Sequence, residues 1–170
     1  MTSTSTPPGL ARFNVLEEHA AAAALREACA STAWVRHLLA GRPYATLEAL
    51  GAASDAATAE LTAADLAEAM AGHPPIGRPK PGDPTSAREQ AGMADAADAL
   101  RAEMLELNLA YQERFGHVFL ICATGRSGEE MRDALRARIG NSPKREREIV
   151  RTELGKINRI RLARLVEEDA

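Results

Sequence analysis

The segment from residue 73 to residue 84 reads HPPIGRPKPGDP, and five of its twelve residues are proline. Proline fixes φ and has no backbone N–H, so this segment cannot lie inside a helix or a sheet strand. The residues on both sides show the three-and-four spacing of apolar positions that is typical of helices. We therefore predict a stiff loop between helices. Such loops either link domains or build sites, and a chain of 170 residues is long enough for one domain.

The rest of the chain has the pattern of an all-α protein. Alanine is abundant and aromatic residues make up only 4% of the sequence, which favours helices that pack closely through small side chains. We predict a compact, single-domain bundle of about seven to nine helices over residues 13–170, after a flexible tail at residues 1–12. The apolar run Val118–Ala123 predicts one short extended segment near residues 117–124. One such run cannot form a sheet, so the predicted class remains all-α.

Two pairs of residues have the spacing of a capping box, in which a hydroxyl and a carboxylate each bond the other residue's backbone N–H. The first pair, Thr62 and Asp65, predicts the start of a helix just before the proline-rich loop. The second pair, Ser86 and Glu89, predicts the start of a long helix after the loop, over about residues 86–114. The loop is therefore expected to connect two helix ends.

Composition and local sequence argue against several classes of function. The formal net charge of −3 gives no general attraction to nucleic acid, and the basic residues of 144–164 alternate with acidic ones, as on a solvated helix. No apolar run approaches the ~18–20 residues that cross a bilayer, and the N-terminus lacks the parts of a secretory signal, so we expect a cytoplasmic protein without membrane contact. Cys29 and Cys122 lie far apart and no His/Cys spacing suits zinc, so neither a disulfide nor a metal site is expected.

His73 is the first candidate for chemistry. It follows the end of a predicted helix, and Pro74 and Pro75 restrict the backbone immediately after it. A helix C-terminus favours the imidazolium form of an exposed histidine by ~0.3–1 kcal/mol. The alternative interpretation is that His73 only caps the helix.

Glu89 and the adjacent Gln90 form the second candidate. A carboxylate near a helix N-terminus is stabilised as the anion, which suits a group that accepts hydrogen bonds or orients an imidazole. The alternative is the capping box itself, in which Glu89 bonds back to Ser86 and has no functional role.

The third candidate is the segment 123–127, which reads ATGRS. An extended backbone followed by glycine and a helix start exposes N–H donors, and Arg126 adds a positive charge. Ser127 is expected to cap the helix that follows. This combination suits an anion or a polar heterocycle, although an ordinary connector with a surface arginine has the same sequence.

Taken together in order and spacing, these segments resemble a known enzyme family. The chain resembles the 2-oxo-4-hydroxy-4-carboxy-5-ureidoimidazoline (OHCU) decarboxylases over about residues 13–166. The matching segments are FNVL at 13–16, CASTAW at 29–34, RPY at 42–44, LTAADLAEAMAGHPPIG at 61–77, SAREQAGM at 86–93 and YQERFGHVFLICATGRSGEEM at 111–131. The sequence departs from its bacterial relatives at Pro75, where they usually have arginine, and in the proline-rich residues 78–84, which lack the usual aromatic before the serine.

The resemblance implies a fold, an activity and a set of site residues. The fold would be all-helical and the protein a homodimer without metal or organic cofactor. The activity would be the last step of urate breakdown, the loss of CO2 from OHCU to give (S)-allantoin. His73 would be the catalytic acid or base, and Glu89 would act with it by fixing the imidazole or binding substrate N–H groups. The substrate-binding residues implied in the same way are Pro74, Ser86, Gln90, Phe119, Leu120, Ile121, Cys122, Ala123 and Arg126.

Two other interpretations stay open at the level of sequence. One is a non-catalytic helical binding or regulatory module that would use the basic residues of 144–164. This interpretation does not explain why prolines follow His73 directly. The other is an enzyme acting on a related ureido heterocycle. For the OHCU activity, functional coupling to 5-hydroxyisourate hydrolase, the preceding enzyme, is a further expectation.

Overall fold

The computed structural model describes residues 5–78, 82–94 and 96–167. Every regular element within these ranges is a helix, which confirms the all-α class and the predicted number of helices. The α-helices are α1 (Pro8–Val15), α2 (Glu18–Ala28), α3 (Thr32–Ala40), α4 (Leu47–Ala59), α5 (Ala63–Ala71), α6 (Pro84–Glu89), α7 (Asp98–Phe115), α8 (Gly128–Arg138) and α9 (Pro143–Glu167). None of these helices is both long and apolar enough to span a membrane.

The chain divides into two compact units. The first unit comprises residues 1–69 and 155–170, and the second comprises residues 70–154. The single domain predicted over residues 13–170 stays a prediction.

The first unit contains α1 to α4, most of α5 and the C-terminal part of α9. Trp34 lies fully buried in it, and its indole Nε1 donates a hydrogen bond to Ser54 Oγ at 3.2 Å. Helix α1 begins at Pro8, inside the segment that the sequence predicts as a flexible tail. The physical reason is that Leu10 and Phe13, three residues apart, share one buried face of α1.

The second unit contains the predicted site residues. Its core joins the loop after α5, the residues after α6, one side of α7 and α8, and the irregular segment between α7 and α8. The buried members of this core are Ile76, Met93, Leu100, Met104, Tyr111, Phe119, Ile121, Ala123, Met131 and Leu135.

The long helix predicted over about residues 86–114 was wrong. Helix α6 ends at Glu89, a short 3₁₀ turn follows at Ala91–Met93, and α7 starts only at Asp98. At the break, the backbone of Gly92 packs so closely on the Arg126 carbonyl that a Cβ there would lie 2.0 Å from the oxygen. The absence of a side chain at Gly92 therefore lets the backbone of Arg126 approach the 3₁₀ turn more closely than any other residue there would allow.

Candidate functional site

The loop that carries His73 starts directly after α5. The His73 N–H donates to the Met70 carbonyl at 3.0 Å, which continues the last turn of the helix for one more hydrogen bond. The side chains of His73, Pro74 and Pro75 are half-buried. The predicted capping box at the other end of α5 is confirmed, because Thr62 and Asp65 each accept the other's backbone N–H.

Gln90 holds the backbone of this loop. Its Oε1 accepts from the Gly77 N–H at 2.9 Å, and its Nε2 donates to the Pro75 carbonyl at 3.1 Å. From α7, Asn108 Nδ2 donates to the Ile76 carbonyl at 2.9 Å. Three consecutive residues of the loop are thus fixed by side-chain amides, and Gly77 supplies the positive φ of +90° that the turn requires.

Ser86 and Glu89 both lie within α6 and are almost fully buried, with 2% and 7% of their surface exposed. The capping box predicted for this pair was wrong as a helix start. Asp83 is the N-cap, its carboxylate accepts from the Thr85 N–H at 3.1 Å, and Pro84 occupies the first helical position. Proline suits that position because its missing N–H would have no helical partner there. Glu89 is therefore buried without forming the helix start, and its functional role stays a prediction.

The segment from Phe119 to Ala123 is buried along its whole length and is neither helix nor strand. Two arginines bond its carbonyls, Arg138 through Nη1 to Leu120 O at 2.7 Å and Arg126 through Nε to Cys122 O at 3.1 Å. Among the described residues, no hydrogen bond uses the N–H of Ile121 or of Ala123. Buried N–H groups without partners are rare in proteins, so these two donors are available to a bound molecule.

A buried polar cluster supports this segment, and the sequence analysis missed it. Arg138 pairs with Glu146 of α9, whose Oε1 also accepts from the Tyr111 hydroxyl at 2.5 Å. Burial, and then the hydrogen bond to Glu146, raises the pKa of Tyr111. Burial alone would raise the pKa of Glu146, but the hydrogen bonds from Arg138 and Tyr111 hold it below the ordinary glutamate value.

The sequence did contain a signal for two of the missed residues. Arg138 follows Leu135 at the spacing that continues the apolar stripe of α8, and Asn108 lies between Met104 and Tyr111 on the buried stripe of α7. A polar residue at a core-facing position needs a buried partner. Both residues use that position to bond a backbone carbonyl of the candidate site.

All eleven predicted site residues lie in the unit formed by residues 70–154. Their three segments meet in its core through Ile76, Met93 and Ile121. Arg126 is about one-third exposed and lies 3.9 Å from the buried Glu153, so its charge has a partner within the protein.

A cleft of about 410 Å³ opens beside the loop, against α7. None of the eleven predicted site residues lines this cleft, although Pro75, at which the sequence departs from the family pattern, does. Its lining residues are Pro75, Ile76, Gly77, Arg78, Arg101, Ala102, Leu105, Asn108, Leu109 and Gln112. In the parts of the chain that the structure describes, no three His, Cys, Asp or Glu side chains are grouped as metal ligands.

The chain is similar in sequence to known proteins of uric acid degradation. A 150-residue stretch is 33% identical to the "Uric acid degradation bifunctional protein TTL" of Arabidopsis thaliana and covers 84% of this chain and 46% of that protein. An 80-residue stretch is 42% identical to the "2-oxo-4-hydroxy-4-carboxy-5-ureidoimidazoline decarboxylase" of Amia calva, over 46% of this chain and 45% of the relative. The matches thus span about half the length of these relatives.

Two solved structures share the fold. "Crystal structure of OHCU decarboxylase in the presence of (S)-allantoin" matches with a TM-score of 0.75 at 28% identity, over 88% of this chain and 98% of that one. "Crystal structure of (S)-allantoin synthase" matches with a TM-score of 0.69 at 18% identity, over 92% and 53%, and supports the fold alone. The family model described as OHCU decarboxylase matches residues 14–163, nearly the whole chain. Because that match includes the histidine loop, α6 and the buried segment alike, the chain belongs to the OHCU decarboxylase family.

Proposed function

We propose that this protein decarboxylates OHCU to (S)-allantoin and CO2, the last step of urate conversion to allantoin. The observation that carries the proposal is the fold match, at 28% identity, to an OHCU decarboxylase crystallised in the presence of (S)-allantoin. The local geometry fits this activity, since the unit formed by residues 70–154 holds a histidine on a fixed loop, a buried carboxylate and buried backbone donors.

The substrate explains why no cofactor is needed in this proposal. OHCU has a carboxylate and a hydroxyl on one ring carbon, beside a C=N carbon that bears the ureido group. When CO2 leaves, the electron pair of the broken C–C bond moves into the C=N bond, so the substrate is its own electron sink. The ring nitrogen takes up one proton, and the hydroxyl proton is exchanged for one delivered to the ureido-bearing carbon, which gives allantoin.

His73 is the group that we assign to the proton transfers. Its place at the end of α5, before Pro74, fixes the backbone from which the imidazole projects. Glu89, 7% exposed, orients the imidazole or accepts from substrate N–H groups. Delivery of the proton from one side accounts for a single enantiomer, and general acid–base help of this kind is typically worth ~10²–10⁴-fold in rate.

The other predicted residues bind the heterocycle in this proposal. The N–H groups of Ile121 and Ala123 donate to ring oxygens that gain negative charge as CO2 leaves. Arg126 lies at the edge of the substrate in this proposal. Ser86, Pro74 and the segment from Phe119 to Cys122 contact the substrate. Gln90 acts on the substrate through the loop that it holds, since both heteroatoms of its amide already bond Pro75 and Gly77.

An assay with unstable substrate made in place tests the proposal. Urate oxidase and 5-hydroxyisourate hydrolase generate OHCU from urate, and the circular dichroism of allantoin is followed with and without this protein. We expect faster formation of allantoin and an excess of the (S) enantiomer, and the same result with EDTA present. Unchanged rate and a racemic product would reject the activity.

The assembly and the location of the protein are part of the same proposal. We propose a cytoplasmic homodimer, tested by sedimentation of the purified chain at micromolar concentration. We also propose functional coupling to the preceding hydrolase. Two relatives, TTL of Arabidopsis thaliana and "Uric acid degradation bifunctional protein PucL" of Bacillus subtilis, are both named as bifunctional proteins of uric acid degradation, which motivates this proposal. Co-purification with the separate hydrolase would test physical coupling.

A further inference from the structure

Arg138 is a buried cation at the end of α8 that contacts the segment from Phe119 to Ala123. Only 8% of its side chain is exposed. One nitrogen of its guanidinium, Nη1, donates to the Leu120 carbonyl at 2.7 Å, and its Cζ lies 4.4 Å from the centre of the Phe119 ring. The same side chain therefore touches both the backbone and an aromatic side chain of the buried segment.

The rest of the guanidinium is fixed by Glu146, which is 1% exposed. Arg138 Nε donates to Glu146 Oε1 at 2.7 Å, and Nη2 bonds the same oxygen. Tyr111 and Asn141 supply further donors to the two carboxylate oxygens, at 2.5 Å and 3.2 Å. A planar guanidinium with bonds on several edges has little freedom to rotate, so the donor to Leu120 is held in one direction.

Phe119 is enclosed by the same cluster. The Tyr111 ring meets the Phe119 ring edge to face, with centroids 5.4 Å apart and planes at 77°. The Arg138 guanidinium also contacts this ring. Aromatic and cation–π contacts of these kinds favour defined orientations, so the start of the segment is fixed through its side chain as well as its carbonyl.

The Leu120 carbonyl and the Ile121 N–H belong to one peptide group. The described chain has its single cis bond at Arg42–Pro43, so this peptide is trans, and its C=O and N–H point to opposite edges. A charged donor on the carbonyl strengthens the dipole of the peptide and makes the N–H a better donor. Ile121 is 4% exposed, and no hydrogen bond among the described residues uses its N–H.

We propose that Arg138 is a positioning residue for the decarboxylation: through the Leu120 carbonyl it aims and polarises the Ile121 N–H, which donates to a ring oxygen of the substrate. This inference rests on the proposed function. Arg138 itself does not touch the substrate. Stability of the core would require only its pair with Glu146, whereas the bond to Leu120 connects that pair to a donor that has no acceptor in the described protein.

The test of this role is Arg138→Lys. Lysine keeps the charge beside Glu146 but lacks the planar fork that bonds Glu146 and Leu120 at once. Removing a transition-state donor costs ~10²–10³-fold in kcat, and weakening one should cost on the order of 10-fold, with KM changed by less than about threefold. The matched control is Ser54→Ala, which loses the buried bond from Trp34 in the other unit and should keep its kcat.

A labelled-amide experiment reads the Ile121 N–H directly in the wild-type chain. Leu120–Ile121 is the sequence's single Leu–Ile pair, so ¹³C-carbonyl leucine with ¹⁵N isoleucine isolates that one peptide in a carbonyl-edited spectrum. Titration with (S)-allantoin should move its proton signal downfield in the wild type and less in Arg138→Lys.

The outcomes separate the two proposals. Wild-type turnover without any allantoin-dependent shift at Ile121 would overturn the positioning role, whether or not Arg138→Lys folds. An unchanged kcat of the Arg138→Lys protein would overturn it too. The same holds if the kcat of Arg138→Lys falls no further than that of a Ser54→Ala protein of equal stability. Absence of turnover in the wild type would instead reject the proposed function.

Discussion

His73 extends the end of α5 by a backbone hydrogen bond, and we assign its imidazole to the proton transfers of the proposed reaction. Since the hydrogen bond to Met70 uses the main chain, His73→Ala should keep the end of α5. We expect this variant to lose about 10²–10⁴-fold in kcat, the usual contribution of a general acid or base. Turnover in the coupled allantoin assay measures the loss of kcat, and far-ultraviolet circular dichroism checks that the helices are kept. Near-normal turnover of a folded His73→Ala protein would remove His73 from the mechanism.

Gln90 gives a second prediction at the same scale, because its amide satisfies both a donor and an acceptor of the loop. Gln90→Leu leaves the Gly77 N–H and the Pro75 carbonyl without these bonds, which should lower the free energy of unfolding by about 1–3 kcal/mol. Gln90→Glu is the comparison variant: its carboxylate still accepts from the Gly77 N–H but cannot donate to the Pro75 carbonyl, so it loses one of the two bonds where Gln90→Leu loses both.

Both Gln90 variants should also raise KM, because a loosened loop no longer presents His73 and Pro74 in one arrangement. Urea unfolding and initial rates in the allantoin assay measure the two effects. If Gln90→Leu lost activity with unchanged stability, the residue would act directly on the substrate and not through the loop.

Helix starts are the elements that the sequence predicted best. The reciprocal bonds expected at Thr62 and Asp65 are present, and Ser127, expected to cap α8, forms a capping box with Glu130. These motifs depend on residues three apart, so their geometry follows from local sequence. The pair Ser86 and Glu89 has the same spacing without the same structure, because α6 already starts at Pro84.

The cap of α8 gives a prediction for an element. Ser127→Ala removes the acceptor for the Glu130 N–H, bonded at 3.1 Å, and should lower the free energy of unfolding by ~1 kcal/mol. Asp83→Ala, at the shorter α6, is the comparison, and it should cost kcat as well because α6 carries Glu89. Urea denaturation and the allantoin assay distinguish them. Equal losses of kcat in both variants would show that the position of α6 has no special importance.

At the scale of the whole molecule, the buried charge cluster should make stability depend on pH. The folded pKa of Glu146 lies below its ordinary value of about 4.3, so the ionised form is favoured by folding. Its contribution is fully present above the unfolded pKa and is lost as the pH falls through the folded pKa.

Glu146→Gln tests that dependence. Loss of one partner of a buried ion pair costs ~3–5 kcal/mol, so at pH 7 this variant should unfold at a clearly lower urea concentration than the wild type. The gap should narrow as the pH falls below the unfolded pKa of about 4.3, because the unfolded wild-type chain then binds a proton at this carboxyl that the folded chain binds only at lower pH. Urea midpoints of both proteins at several pH values measure it. A gap that is the same at pH 7 and pH 3 would contradict the assigned ionisation.

The sequence by itself determined the helical class, the helix starts at Thr62 and Ser127, the end of a helix just before His73 and the segments that identify the family. These features depend on residues close together in the chain, where propensity and capping act. Only the tertiary structure decided where the long predicted helix breaks at Gly92, that Gln90 holds the histidine loop, and that Arg138 bonds Leu120. Each of these contacts joins groups that lie 13 to 34 residues apart in the chain. A polar residue at a core position indicates that a buried hydrogen-bond partner exists, but the sequence does not identify that partner.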